Sequence, residues 1–212
     1  MSNAFFRFAY CLLWPFLRIV FPVEVRGLEN LPRHGALLCP NHASDWDPLL
    51  LCCALPIDYR LHIMAKKQLF DNPVLRWIIT RLGAFPVDRD HTDIQSVKTA
   101  MQAIRSGDNL LIFPEGTTIR NGIGYHDSLP AHAKAGVAMI GIRTGAALVP
   151  VFLDGPKRVF HKSRIIFGAP ITPVYTGRHG TAEEMQRIAD EILKTAYALG
   201  GQEVGGKPLC RE

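Results

Sequence analysis

No apolar stretch in this 212-residue chain offers a membrane span. The amino-terminal segment AFFRFAYCLLWPFLRIVFPV is strongly apolar, but it runs uninterrupted only between Arg7 and Arg18. Ten residues of helix rise about 15 Å, roughly half of the hydrocarbon thickness of a bilayer. VFPVEV at its end lacks the small-residue cleavage site of a signal peptide. The five cysteines are odd in number and none stands in a C-x-x-C pair. With no disulfide framework, they read as reduced thiols of a cytoplasmic protein. H-x-x-x-H and H-E-x-x-H spacings are missing, so no zinc site is expected. A G-x-S-x-G nucleophile elbow is missing too, which argues against a serine hydrolase built around Ser44. There is no low-complexity tract, internal repeat or linker, and the chain reads as one domain.

What is present is the composition of a globular protein, 48% hydrophobic and 20% charged, with length enough for a full core. The net charge of +5 favours anionic partners: a phospholipid surface, a phosphorylated substrate, an acidic carrier protein or nucleic acid. At the amino terminus, eleven helical steps bring Arg7 and Arg18 back to within roughly 20° of each other, on one face. An apolar, aromatic helix with a cationic stripe suits a membrane interface better than a span, and residues 1–21 are read as an interfacial helix. A helix docked on the core is the rival reading.

Short apolar runs then alternate with helical periodicity. Strands are expected at 22–27, 36–40, 61–65, 84–88, 109–114, 147–153 and 164–168. Helices are expected at 4–20, 48–54, 72–82, 92–106, 131–144 and 181–199, the last opened by a capping box at Thr181 and stopped at Gly200-Gly201. Buried-type strands alternating with helices imply an α/β fold with a mixed, largely parallel sheet covered on both faces. Residues 22–200 form that domain, and 201–212 read as a flexible tail.

Three polar clusters fall at or near the carboxyl ends of these strands, where α/β sheets place their sites. The first is CPNHASDWDP, Cys39 to Pro48. His42 and Asp47 lie five residues apart, about 140° around a helix, so they meet only if the chain turns between them. Asp47-Pro48 has the look of an N-cap followed by proline at the first helical position, which supplies such a turn. Asp45 has no cap signature and reads as solvent-facing or substrate-adjacent. A carboxylate on one imidazole nitrogen fixes the tautomer and raises the basicity of the other, making a general base. A polar turn without catalysis is the plainer alternative. The second is PVDRD, Pro86 to Asp90; beside it, Asp90, His91 and Asp93 of DRDHTD read as an exposed turn leading into an acidic helix start. The third, PEGTTIR, sets Glu115 beside Gly116, where the backbone can approach a ligand closely. Lys66, Lys67, Arg89 and Arg120 are the cations near these strand ends.

In order and spacing these clusters resemble the glycerolipid acyltransferase family typified by 1-acylglycerol-3-phosphate acyltransferase (lysophosphatidic acid acyltransferase). Its N-H-x-x-x-x-D block is matched by Asn41, His42 and Asp47, and its glycine-to-arginine block by Gly83, Phe85 and Arg89. The F-P-E-G-T block is matched by Phe113 to Thr117, and the V-P-V strand by Val149 to Val151. Four blocks in the right order cover about residues 22 to 170. The resemblance implies that His42 is the general base on the free hydroxyl of a lysophospholipid and that Asp47 supports it. The hydroxyl then attacks an acyl-CoA or acyl-carrier-protein thioester directly. Arg89 and Lys66 would hold the substrate phosphate, Glu115 glycerol oxygens, and Asn41, Gly116, Thr117 and Arg120 would also border the substrate. Lysophosphatidic acid is the default acceptor; another lysolipid acceptor or thioester hydrolysis is the alternative, and a silent lipid-binding module is a third. No metal, organic cofactor or nucleic-acid partner is implied, and the implied location is peripheral, on the cytoplasmic face of a membrane. One position departs: where the family commonly has arginine after F-P-E-G-T, this chain has Thr118, with Arg120 two residues on. The usual phenylalanine-lysine-lysine-glycine form that follows is kept only in part, as Lys134 and Gly136.

Overall fold

In the computed structural model, described over residues 4–88, 93–118, 125–126, 129–130, 132–155, 157–202 and 204, the apolar runs pair into one seven-stranded sheet. The strands are β1 (Val23–Arg26), β2 (Ala36–Pro40), β3 (Leu61–Lys66), β4 (Ala84–Val87), β5 (Asn109–Leu111), β8 (Ala147–Leu153) and β9 (Ser163–Phe167). A separate hairpin joins β6 (Tyr125–His126) to β7 (Leu129–Pro130). The order across the sheet is β1-β9-β8-β2-β5-β3-β4. From β8 to β4 every neighbour is parallel; β9 turns back against β8 and carries β1 parallel to itself. The sheet is therefore mixed and mostly parallel, as the sequence implied.

The period of two along a strand divides the core. Leu38, Leu111, Val149, Val151 and Ile165 face α1 (Ala4–Val20) and α2 (Asp47–Ala54), with Ile79 of α3 (Pro73–Arg81) packed against that layer. Leu37, Leu110, Leu148 and Phe152 face α4 (Ile94–Arg105), α5 (Gly136–Thr144) and α6 (Ala182–Leu199). Both faces of β2 are thus buried, which is why ALLCP reads as a continuous apolar run rather than an alternating one.

Helix boundaries follow their chemistry. Asn72 caps α3, its side-chain oxygen accepting the N–H groups of Val74 and Leu75, and Pro73 begins the helix. Thr181 and Glu184 form the expected capping box at α6. Two boundaries differ from the sequence reading by more than two residues. α5 starts at Gly136, because the segment before it is tied to the site loop through the Lys134 N–H and the Pro114 carbonyl. β5 ends at Leu111 rather than at residue 114, since the chain leaves the ladder to turn at Gly116.

α1 keeps its helix through Pro15 and lies on the domain by one side. Leu17 is buried, and the Tyr10 hydroxyl donates toward the Cys53 and Leu55 carbonyls at 3.3 and 3.1 Å. The opposite side is bare: Phe8, Leu12, Phe16 and Ile19 are between 62% and 66% exposed. At about 100° per residue these four fall within an arc of roughly 80°, with Arg7 and Arg18 beside it. The helix thus docks on the core by one side and leaves an apolar face exposed on the other. No helix among the described residues is long and apolar enough to cross a membrane. Cys11, Cys39, Cys52 and Cys53 are free thiols, and Cys210 lies outside the described residues.

Candidate active site

β2 and β5 are neighbours and run parallel, so their carboxyl ends deliver the segments 41–47 and 112–118 to the same edge of the sheet. β8, on the other side of β2, adds the turn after Leu153.

The turn 42–47 closes on one carboxylate. Asp47 is fully buried, and its Oδ2 accepts three donors: the Ala43 N–H at 2.8 Å, the Ser44 N–H at 2.7 Å and His42 Nδ1 at 3.1 Å. Asp47 stands inside the first turn of α2, with Trp46 in the cap position and Pro48 next, so the capping expectation was one residue off. Its side chain folds back over the turn instead of capping the helix. The second oxygen, Oδ1, receives no hydrogen bond of good geometry but faces the Lys157 ammonium at 3.4 Å. Lys157 is itself buried, 1% exposed at its side chain, and donates to the Asp154 carbonyl at 2.5 Å. A buried carboxylate met by three donors and a cation is one whose charge the fold has balanced.

An acceptor-only carboxylate at Nδ1 requires the proton on that nitrogen, which leaves the Nε2 lone pair directed away. Three further contacts hold His42. Phe113 stacks on it, centroids 3.9 Å apart at 28° between planes. Glu115 Oε2 accepts the His42 backbone N–H at 2.7 Å. At Nε2 lies the Thr118 hydroxyl oxygen, 3.0 Å away, with Asp45 Oδ1 at 3.2 Å as a second acceptor within reach of its one proton. The F-P-E-G-T run is thus a cradle for one imidazole. Gly116 makes the sharp turn in that cradle, at φ 71°, and Lys134 lies over it so closely that a Cβ would press on its side chain.

The other expected site residues divide. Asn41 is not turned to a ligand: its Nδ2 donates to the Leu153 carbonyl at 2.9 Å and its Oδ1 accepts the Leu153 N–H at 2.7 Å, lacing the end of β2 to the end of β8. Glu115, expected on glycerol oxygens, is also directed into the protein. It is 5% exposed, and its Oε1 accepts the Tyr197 hydroxyl at 2.5 Å. Burial pushes this carboxyl up to about 7, against the pull of the Tyr197 and His42 hydrogen bonds. Lys66 is exposed at the carboxyl end of β3, and Thr117 is half-buried in the loop beside Thr118. Lys67, next to it, pairs with Asp88 at 3.7 Å. Arg89 and Arg120, with Asp90 and His91, lie outside the described residues; Asp93 is the N-cap of α4.

Lys157, Thr118, Phe113 and Tyr197 were not assigned a role from the sequence. Lys157 had a signal: DGPK directly follows the buried strand paired with the one that bears His42. Tyr197 had none, because it sits on the buried face of an amphipathic helix and reads there as core.

A family model described as Acyltransferase matches residues 22–154. A Bacillus subtilis protein named 1-acyl-sn-glycerol-3-phosphate acyltransferase is 30% identical over 154 residues, covering 70% of this chain and 73% of that one. A Streptococcus pneumoniae protein of the same name is 30% identical over 174 residues, covering 79% and 58%. The crystal structure of the 1-acyl-sn-glycerophosphate (LPA) acyltransferase PlsC from Thermotoga maritima superposes with a TM-score of 0.67 at 22% identity, covering 92% of this chain and 77% of that one. At that identity the likeness is one of fold.

The Lys157–Asp47 contact sets a measurable stability difference. Lys157→Met strands a buried carboxylate and should cost about 3 kcal/mol in chemical denaturation, as loss of one partner of a buried pair does. Lys162→Met, which removes an exposed partner of Glu24, should cost under about 1 kcal/mol. Equal losses would show that the buried ammonium does not balance Asp47.

Proposed function

The chain belongs to the acyltransferase family, and on that footing we propose that it transfers an acyl chain from a thioester to the free hydroxyl of a lysophospholipid. The acceptor is 1-acyl-sn-glycerol 3-phosphate, the substrate in the names of the Bacillus and Streptococcus relatives, and the product is phosphatidic acid. Acyl-CoA or acyl-carrier protein is the donor.

One observation carries this reading: an alcohol oxygen already sits 3.0 Å from His42 Nε2, at the distance a general base needs from the proton it removes. In the reaction the acceptor hydroxyl takes the place that Thr118 holds here. His42 removes its proton as the oxygen attacks the thioester carbonyl, and Asp47 stabilises the imidazolium that forms. The proton then passes to the departing thiolate. Lys66, exposed on the same sheet edge, and Arg89, just beyond β4, meet the acceptor phosphate, which a flexible ammonium and a planar guanidinium are both suited to bind. Asn41 and Glu115 act on the base rather than the substrate, by fixing the strand ends and the His42 backbone.

The acceptor lives in a membrane, and α1 supplies a surface for it. The stripe of Phe8, Leu12, Phe16 and Ile19, with Arg7 and Arg18 beside it, lies in the headgroup region of the cytoplasmic leaflet, where anionic lipids meet the arginines. Docking is peripheral, and the active centre is brought to its substrate without a span.

Purified protein given an acyl thioester should release thiol and form phosphatidic acid in proportion to added 1-acylglycerol 3-phosphate. His42→Ala should lower that rate by about 10²–10⁴-fold with its circular dichroism unchanged. Asp47→Asn should be far more damaging than Asp45→Asn, since only Asp47 touches Nδ1; wild-type rates in the His42 variant would end the proposal. On the membrane side, Leu12→Asp with Phe16→Asp should weaken binding to anionic vesicles by about tenfold or more, given roughly 1.5–3 kcal/mol for each apolar side chain withdrawn. Undiminished sedimentation with vesicles would dismiss α1 as the docking element.

A further inference from the structure

Thr118, His42 and Asp47 stand in the order and at the distances of a nucleophile triad: hydroxyl to Nε2 at 3.0 Å, Nδ1 to carboxylate at 3.1 Å. The imidazole is held on that line by Asp47 at Nδ1 and by Phe113 stacked on its face. The hydroxyl is clamped from a second side by Asp45 at 3.2 Å. Its single proton has two acceptors, and the shorter contact is to the base. Thr118 is half-buried at the rim of the site, so its oxygen occupies the position in which an acceptor hydroxyl would be deprotonated.

We propose that Thr118 is a second alcohol served by His42, which takes the acyl chain when no lysolipid is bound and so gives the protein a slow thioester hydrolase activity. This goes beyond the acyltransferase reading but uses the same base. Thr118 Oγ1 attacks the thioester carbonyl while its proton passes to His42 Nε2. The C–O bond to Thr118 forms, the C–S bond breaks, and the thiolate leaves with the proton from Nε2 as a free thiol. Water next enters beside Nε2 and gives up a proton to it. Its oxygen attacks the threonyl ester, the C–O bond to Thr118 breaks, and the proton returns to Oγ1. The sum is thioester plus water giving carboxylic acid plus thiol, with no other reactant. Asp45 keeps the hydroxyl in the attacking position, and a bound lysolipid displaces it from Nε2 and ends the side reaction.

The test uses the full-length protein with palmitoyl-CoA and, separately, palmitoyl-acyl-carrier protein, without lysolipid. Samples quenched in acid through the first turnover are read by intact mass and peptide mapping, and thiol release is followed in parallel. The wild type and Thr118→Ser should each gain one acyl mass on the peptide containing residue 118. Thr118→Val should gain none and should release thiol about tenfold more slowly or worse. Its melting temperature, matched to the wild type, excludes misfolding, and Thr118→Ser keeps the test open should the valine variant not fold. No adduct, an adduct elsewhere, or undiminished thiol release by a folded Thr118→Val overturns the proposal. Transfer to 1-acylglycerol 3-phosphate is measured on the same preparations. Transfer without any threonyl ester defeats this inference alone; an ester without transfer defeats the acyltransferase reading alone.

Discussion

A carboxylate can be buried without solvent only where donors and positive charge reach both of its oxygens, and the site is organised by how the fold meets that condition for Asp47. Three donors converge on Oδ2 and one ammonium faces Oδ1. Two of the donors are consecutive backbone N–H groups, so the carboxylate pins the turn that carries His42. The third is the imidazole, so the same carboxylate selects its tautomer. Removing Asp47 would therefore loosen the turn and release the tautomer of His42 together, whereas Asp45, exposed and two residues away, can do neither.

The parallel ladder supplies the rest. Because β2 lies between β5 and β8, the two segments that follow those neighbours arrive on either side of His42. From one side come Phe113, Glu115 and Thr118; from the other comes Lys157. Helix distribution then sets which face of the sheet carries exposed apolar side chains. The layer holding α1, α2 and α3 exposes Phe8, Leu12, Phe16 and Ile19 of α1 and Val74 and Trp77 of α3, while among the described residues the layer of α4, α5 and α6 exposes Ile94 and, in the segment leading into α6, Val174. Most of the exposed apolar surface is thus on one face of the sheet.

Much of this was legible in the residues. Every strand of the large sheet was anticipated to within three residues at either end, because the runs are apolar and, β3 apart, glycine or proline stands at or near their ends. The His42–Asp47 pairing was legible from Asp47-Pro48, although the cap argument misplaced the aspartate by one position. Asn41 and Glu115 were expected on substrate, and their bonds to the protein were not legible: a polar residue beside a histidine reads the same in sequence whether it faces ligand or protein, and only the fold shows Leu153 and Tyr197 taking up those bonds. Lys157 was hidden by distance, 110 residues from the carboxylate it faces. Thr118 was noticed as an uncharged residue where the family commonly has arginine, but its contact with Nε2 depends on the turn at Gly116, which spacing alone does not define.

The central claim, that Asp47 commits His42 to carrying its proton on Nδ1 and leaves Nε2 bare for an alcohol, is open to one direct observation. Protein labelled with ¹⁵N-histidine, studied by long-range ¹H–¹⁵N correlation with His42 in its neutral form and assigned with His42→Gln, reports which ring nitrogen is protonated. A protonated Nδ1 with a bare Nε2 is the expected result. A proton on Nε2 with a bare Nδ1 would contradict the account, since Asp47 would then face a lone pair and the base would have nothing with which to accept.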